Sequence, residues 1–137
     1  MLLPQTAEYA LRAMAQLAAI PPDTPVRAKD LSRETEIPPE YLSKILRRLV
    51  LAGLLRSRKG HGGGFSLALR PREIRFMDVL SAVGAYPAPG RCVFGWGHCN
   101  AQHPCPLHDA WLAMSDSFRD WATSTTLDQI RKVIHRR

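Results

Sequence analysis

Between Arg91 and Asp109 the chain reads RCVFGWGHCNAQHPCPLHD, and this stretch divides the molecule. It gathers all three cysteines, Cys92, Cys99 and Cys105, and three of the five histidines, His98, His103 and His108. Gly and Pro make it a loop, and soft ligands concentrated in a loop point to a metal site. Unligated loop thiols are the rival reading. Three is an odd count, which argues against a closed disulfide framework and for thiolates in a reducing compartment. Whatever core the chain possesses must come from the sequence on either side.

On the N-terminal side, 6–20 is Ala-rich, with Ala10, Leu11, Met14, Leu17 and Ala18 at helical spacing up to Pro21-Pro22. A short helix follows over 26–35, with Ala28 and Leu31 as its apolar positions. After a turn at Glu36-Ile37, Pro38 and Pro39 open a further helix, because a missing N–H costs nothing there and the fixed φ helps. Leu42, Ile45, Leu46, Leu49 and Val50 share one face of it; Tyr41, Lys44, Arg47 and Arg48 are left outside, and Gly53 ends it. Two short helices with a brief turn between them make a helix-turn-helix.

Two strands are expected next, 54–59 and 65–70, the second with Phe65, Leu67 and Leu69 inward and Ser66, Ala68 and Arg70 outward. Lys59-Gly60-His61-Gly62-Gly63-Gly64 forms the hairpin tip between them. A phosphate-binding loop is excluded there, since the Gly-Lys-Ser/Thr ending and a following helix are both missing. A hairpin after a helix-turn-helix is the wing of a winged helix.

Charge sharpens the reading. The net +7 is uneven: from Tyr41 to Arg72 there are eight basic residues and no Asp or Glu, whereas from Phe76 onward six basic face five acidic. One sign concentrated on one module is the footprint of a polyanion such as double-stranded DNA. A basic face kept only for solubility explains this less well, because mixed charge would serve equally.

Beyond Pro71, Ile74, Phe76, Val79, Leu80 and Val83 suggest another helix ending near Gly84. After the cysteine loop, Pro106 stands at an expected first helical position. Leu107, Trp111, Met114, Phe118 and Trp121 then recur at spacings of four, three, four and three. A seam this bulky is either core or a helix buried against a second subunit, and the second is expected because the N-terminal module has a core of its own. A last helix runs over 127–134, with Thr126 and Gln129 as a capping box. The chain is long enough for one domain or one domain with an appendage. The expected divisions are 1–84, a winged helix-turn-helix; 85–106, the cysteine loop; and 107–137, a dimerisation helix with a C-terminal helix. No apolar run is long enough to span a membrane, and Glu8 and Arg12 interrupt the first apolar stretch, so a signal peptide is not expected and the cytoplasm is.

Several motifs together resemble the Rrf-two-type (IscR/NsrR-like) family of bacterial winged-helix transcription regulators. They are Glu8-Tyr9-Ala10-Leu11-Arg12-Ala13, the Tyr41-Leu42 start of the second helix of the pair, the Gly60–Gly64 tip before Phe65, and the three-cysteine loop. The resemblance runs from about Thr6 to about Ile134. It implies a mainly α fold with a small β-hairpin wing and a long C-terminal dimerisation helix. It also implies a homodimer bound to a DNA operator, with an iron–sulfur cluster in each cysteine loop whose state sets DNA affinity.

The cysteines are spaced C-x6-C-x5-C, unlike the close-set pairs of common structural zinc sites. Among metals, the resemblance implies iron–sulfur, 2Fe-2S favoured over 4Fe-4S, with Cys92, Cys99 and Cys105 as ligands. Two candidates remain for the fourth. His108, three residues after Cys105, matches one branch of the family and is preferred; Glu8, supplied by the partner subunit, matches another. His98 and His103 are expected to be exposed. In the helix-turn-helix, Pro39, Glu40, Tyr41, Ser43 and Lys44 are the base-proximal candidates, and Arg47 and Arg48 are phosphate anchors. Arg58, Lys59 and His61 place the wing at the adjacent minor groove, where the family often has Arg in place of Lys59. Two rivals stand beside this reading: a zinc-stabilised DNA-binding protein that senses nothing, and a redox enzyme with Cys105 as nucleophile and His108 as base.

Overall fold

Alanine builds the centre of the molecule. In helix α1 (Gln5–Ala18), Ala7, Ala10, Ala13, Ala15 and Ala18 are buried together with Met14 and Leu17. Small side chains on more than one side of a helix let several partners approach, and α1 touches four other helices. The structure, a computed structural model, describes residues 3–86 and 90–134, with the backbone alone for 132–134. Residues 87–89, inside the expected 85–106 segment, and 135–137 lie outside the described residues.

Helix α2 (Ala28–Thr35) buries Leu31 and Thr35, and the Thr35 hydroxyl donates to the Leu31 carbonyl at 2.6 Å, so this buried polar group is satisfied. The turn that follows needs a left-handed residue, and Glu36 takes φ 60°. Ile37 is buried beyond it. Helix α3 (Pro39–Leu51) begins with Pro39 in its first turn and buries Leu42, Ile45, Leu46 and Leu49, as their spacing requires. It ends in a Schellman turn: Gly53, at φ 80°, donates to the Val50 carbonyl and Leu54 to the Leu49 carbonyl, each at 3.0 Å.

Strands β1 (Leu55–Arg58) and β2 (Gly64–Leu67) pair antiparallel, Leu55 opposite Leu67 and Arg58 opposite Gly64. Phe65 also exchanges both backbone hydrogen bonds with Val26, at 2.9 and 2.8 Å, tying the wing to the entry of α2. This close approach explains Gly64, where a Cβ would lie 2.5 Å from the Val26 carbonyl. The alternation expected through Leu69 fails at its end. The last ladder bond is Ala68 to the Leu54 carbonyl, after which the chain leaves the sheet for a short 3-10 turn at Pro71–Glu73, and Leu69 is exposed.

Helix α4 (Phe76–Ala82) buries Phe76, Met77, Val79 and Leu80. Helix α5 (His108–Ser124) starts two residues later than Pro106 predicts. Cys105, Pro106 and Leu107 form a turn closed by His108 donating to the Cys105 carbonyl at 3.1 Å, so the proline precedes the helix instead of opening it. Helix α6 (Leu127–Ile134) has the expected bounds. Of the expected capping box, the half in which the Thr126 amide donates to Gln129 is present, at 3.3 Å.

The corner between α5 and α6 is clamped to the start of α4: Phe76 donates to the Thr125 carbonyl at 2.8 Å and Leu127 to the Ile74 carbonyl at 3.0 Å. Leu127 is fully buried among residues of α1, α2 and α3, so α6 completes the core of the N-terminal module. A second cluster joins Ala7, Phe76, Met77, Leu80 and Ala122 where α5 leans on α4. The architecture is mainly α with a two-stranded wing. No helix of the described residues is long and apolar enough to cross a membrane.

Candidate nucleic-acid interface and cysteine centre

Burying the apolar stripe of α3 turns its other side outward. Pro39, Glu40, Tyr41, Ser43, Lys44 and Arg47 are all exposed on one helix. The Tyr41 ring lies 6.3 Å from Tyr9 of α1, and the Arg12 guanidinium stands 5.5 Å above Tyr9. Arg12 also donates to the Thr35 carbonyl at 3.1 Å, so a chain of contacts from α1 supports the start of α3. On the wing, Arg58, Lys59 and His61 are exposed around a tip where Gly60 and Gly62 take φ 90° and 76°. Arg48 is exposed as well, but its guanidinium donates to the Val83 carbonyl at the end of α4, at 3.0 Å. Sequence spacing gave no sign of that partner, 35 positions away.

The cysteine loop is folded by its own backbone. Cys92 donates to the Gly97 carbonyl at 2.8 Å, Cys99 donates to that of Gly90, and Gly95 donates to Cys92 at 3.0 Å. Gly95 and Gly97, at φ 75° and 90°, permit these tight reversals. The loop is fastened to α5 by the Trp111 indole N–H, which donates to the Arg91 carbonyl at 2.8 Å. Sequence reading had assigned Trp111 only to an apolar seam.

This winding draws the three thiols into each other's electrostatic reach. The amide of Phe94, then those of Trp96 and Gly95, and the Cys105 thiol hold Cys92 below the ordinary thiol pKa, against the opposing effect of burial. Burial pushes Cys99 up, and the charges of Cys92 and Cys105 push it further. The loop thus favours a thiolate at Cys92 and disfavours one at Cys99. That donor chemistry fits a thiolate-ligated iron centre, where N–H groups aimed at sulfur are part of the site. Among the described residues no three His, Cys, Asp or Glu side chains are grouped as ligands of a single metal ion.

His108 is half-buried in the first turn of α5, while Glu8 is exposed in the first turn of α1. His98 and His103 are exposed. Beside Cys92 and Cys99 lies an open cavity of about 330 Å³, walled by Tyr86, Trp111, Leu112 and Arg119.

A helix-turn-helix with a basic outward helix and a basic wing defines a winged-helix DNA-binding protein. Residues 3–132 match the Rrf2 family, described as iron-dependent transcriptional regulators, and the chain belongs to that family. It is 38% identical to an HTH-type transcriptional regulator of Mycobacterium tuberculosis (strain CDC 1551 / Oshkosh), over 90% of this chain and 77% of that protein. It is 33% identical to the regulator IscR of Pectobacterium atrosepticum, over 95% of this chain and 79% of that protein. Its fold is that of CymR, the global cysteine regulator of B. subtilis, with a TM-score of 0.80 at 22% identity and 96% of both chains covered. The likeness to IscR of T. potens has a TM-score of 0.78 at 23% identity, covering 96% of this chain and 87% of that one. The chain is therefore a DNA-binding transcription regulator and not an enzyme, which removes the Cys105–His108 redox reading.

Proposed function

We propose that the protein is a cytoplasmic, dimeric transcription regulator that reads iron–sulfur status, redox state or nitric oxide through a cluster held by Cys92, Cys99 and Cys105. The observation that carries this reading is the concentration of all three cysteines in one tightly wound loop, with backbone amides turned toward Cys92. His108 is the preferred fourth ligand, because it is held near Cys105 by a local turn; Glu8 of a partner subunit is the alternative. A 2Fe-2S cluster is preferred. When bound, such a group supplies a cationic centre that accepts electrons or reacts with oxidants and nitric oxide.

The chain's own residues account for the rest. Backbone amides favour the thiolate of Cys92, while burial and the charges of Cys92 and Cys105 disfavour that of Cys99. The loop is fastened at Trp111 to α5 and runs back to α4, so its rearrangement bears on both. In a dimer formed along α5, that movement changes the spacing of two α3 helices set against successive major grooves about 34 Å apart. Pro39, Glu40, Tyr41, Ser43 and Lys44 face base edges, Arg47 holds phosphate, and Arg58, Lys59 and His61 reach the minor groove.

Protein purified without air is expected to be coloured and to contain iron and sulfide. Cys99→Ala is expected to lose both, to remain dimeric, and to bind its operator with changed affinity. Colourless wild-type protein whose operator binding is the same before and after chelation overturns the reading and leaves a zinc-stabilised or metal-free DNA binder.

A further inference from the structure

Arg48 stands on α3 among residues suited to phosphate, and its side chain is exposed like theirs, yet its guanidinium reaches sideways to the end of α4. It donates to the Val83 carbonyl at 3.0 Å, and Val83 is itself buried. That carbonyl is the C-cap of α4, directly after the last turn, where unpaired carbonyl groups make the helix end negative and a cation is favoured. The α4 terminus is well defined: Gly84, at φ 65°, donates to the Ser81 carbonyl at 3.1 Å, and Ala85 to the Leu80 carbonyl at 2.9 Å. This is the same Schellman turn that closes α3 beside it. Two helix ends thus lie side by side, and Arg48 of one holds the other.

The position of this contact in the chain matters. At Val83 the backbone leaves α4, Tyr86 stacks on Phe118 of α5 at 5.8 Å, and Cys92 lies nine residues after Val83. The Val83 carbonyl therefore stands where α4 ends and the segment leading to the first cysteine begins. Arg48 bonds to that point from the helix that meets DNA.

We propose that Arg48 is a positioning residue, a latch by which the state of the cysteine loop is transmitted through the end of α4 to the recognition helix, and that it does not hold a DNA phosphate. The coupling half of this proposal rests on the cluster reading above; the phosphate half does not.

The two halves are tested on the full-length protein bound to its operator. Operator affinity is measured against salt for the wild type, Arg47→Gln, Arg48→Gln and Arg48→Lys. Each lost phosphate contact lowers the slope of log K on log salt by about 0.9. Arg47→Gln is expected to show that loss and Arg48→Gln to keep the wild-type slope. The ratio of affinities with and without the cluster is then measured. A wild-type ratio of about 5-fold or more is expected to fall toward unity in Arg48→Gln. Arg48→Lys, which can still donate to a carbonyl, is expected to retain most of it; it also serves if the Gln variant does not fold.

A slope reduced equally in Arg47→Gln and Arg48→Gln overturns the latch and makes Arg48 a phosphate anchor. An unchanged ratio in Arg48→Gln beside a large wild-type ratio overturns it too. A wild-type ratio of unity sinks the cluster reading instead, and the slopes still decide whether Arg48 serves DNA or α4.

Discussion

At the scale of the residue, polar side chains in this protein often serve the backbone. Asp78 shows it best. Its carboxylate accepts from the Arg75 amide at 2.8 Å, capping α4, and from the Arg75 guanidinium at 2.9 Å. Burial opposes ionisation of Asp78, but the side-chain bond, amide bond and charge of Arg75 outweigh it and hold the carboxyl below its ordinary pKa. A depressed carboxyl stabilises the fold above the unfolded-state pKa and loses that contribution as pH falls through the folded value. Asp78→Ala is expected to cost about 1 kcal/mol at neutral pH through the lost cap. Denaturant titrations should show the gap between variant and wild type narrowing in the acid range below about pH 4; a gap independent of pH would mean that the charge of Asp78 does not matter.

At the scale of the element, α5 is exceptional. Ala122 is its one buried residue, although the helix carries Trp111, Leu112, Met114, Phe118 and Trp121. Its C-terminal half is partly covered, since Trp121, still 47% exposed, meets Phe76 at 4.6 Å in a tilted pair and Phe118 stacks on Tyr86. In its N-terminal half Trp111 is held by the cysteine loop, but Leu112, Met114 and the preceding Leu107 are exposed, Met114 at 58%. Leu107 and Met114, seven residues apart, are exposed on the same side as Trp121, and such an apolar line supports the proposed dimer. Met114→Glu would place a charge on that face without touching the core. It is expected to weaken self-association at least tenfold, about 1.4 kcal/mol, read by sedimentation, while the circular dichroism of the monomer stays native. Unchanged association would move the dimer contact elsewhere.

At the scale of the whole molecule, the C-terminal helix belongs with the N-terminal module. Leu127 is fully buried in the same cluster as Met14, Leu31 and Leu46, and backbone bonds clamp its amide to Ile74. Leu127→Ala is expected to cost about 2–5 kcal/mol and to lower the stability of the DNA-binding module itself, measured as one cooperative unfolding transition. Loss of α6 alone, with the module's stability intact, would contradict this packing.

The sequence by itself determined what is periodic or chemically local. The stripe Leu42, Ile45, Leu46 and Leu49 turned Tyr41, Lys44 and Arg47 outward because a helix has two sides. Gly53 and Gly60 to Gly64 marked reversals that few other residues can make. The cysteines announced their chemistry by type alone. The tertiary structure decided what depends on residues far apart in the chain. Only folding brought Arg48 to Val83, Trp111 to the Arg91 carbonyl, Val26 to the wing and Leu127 into the core; it also ended the strand before Leu69 and kept Pro106 out of α5. Such contacts carry no periodicity, since a backbone carbonyl is present at every residue and its partner is chosen by packing.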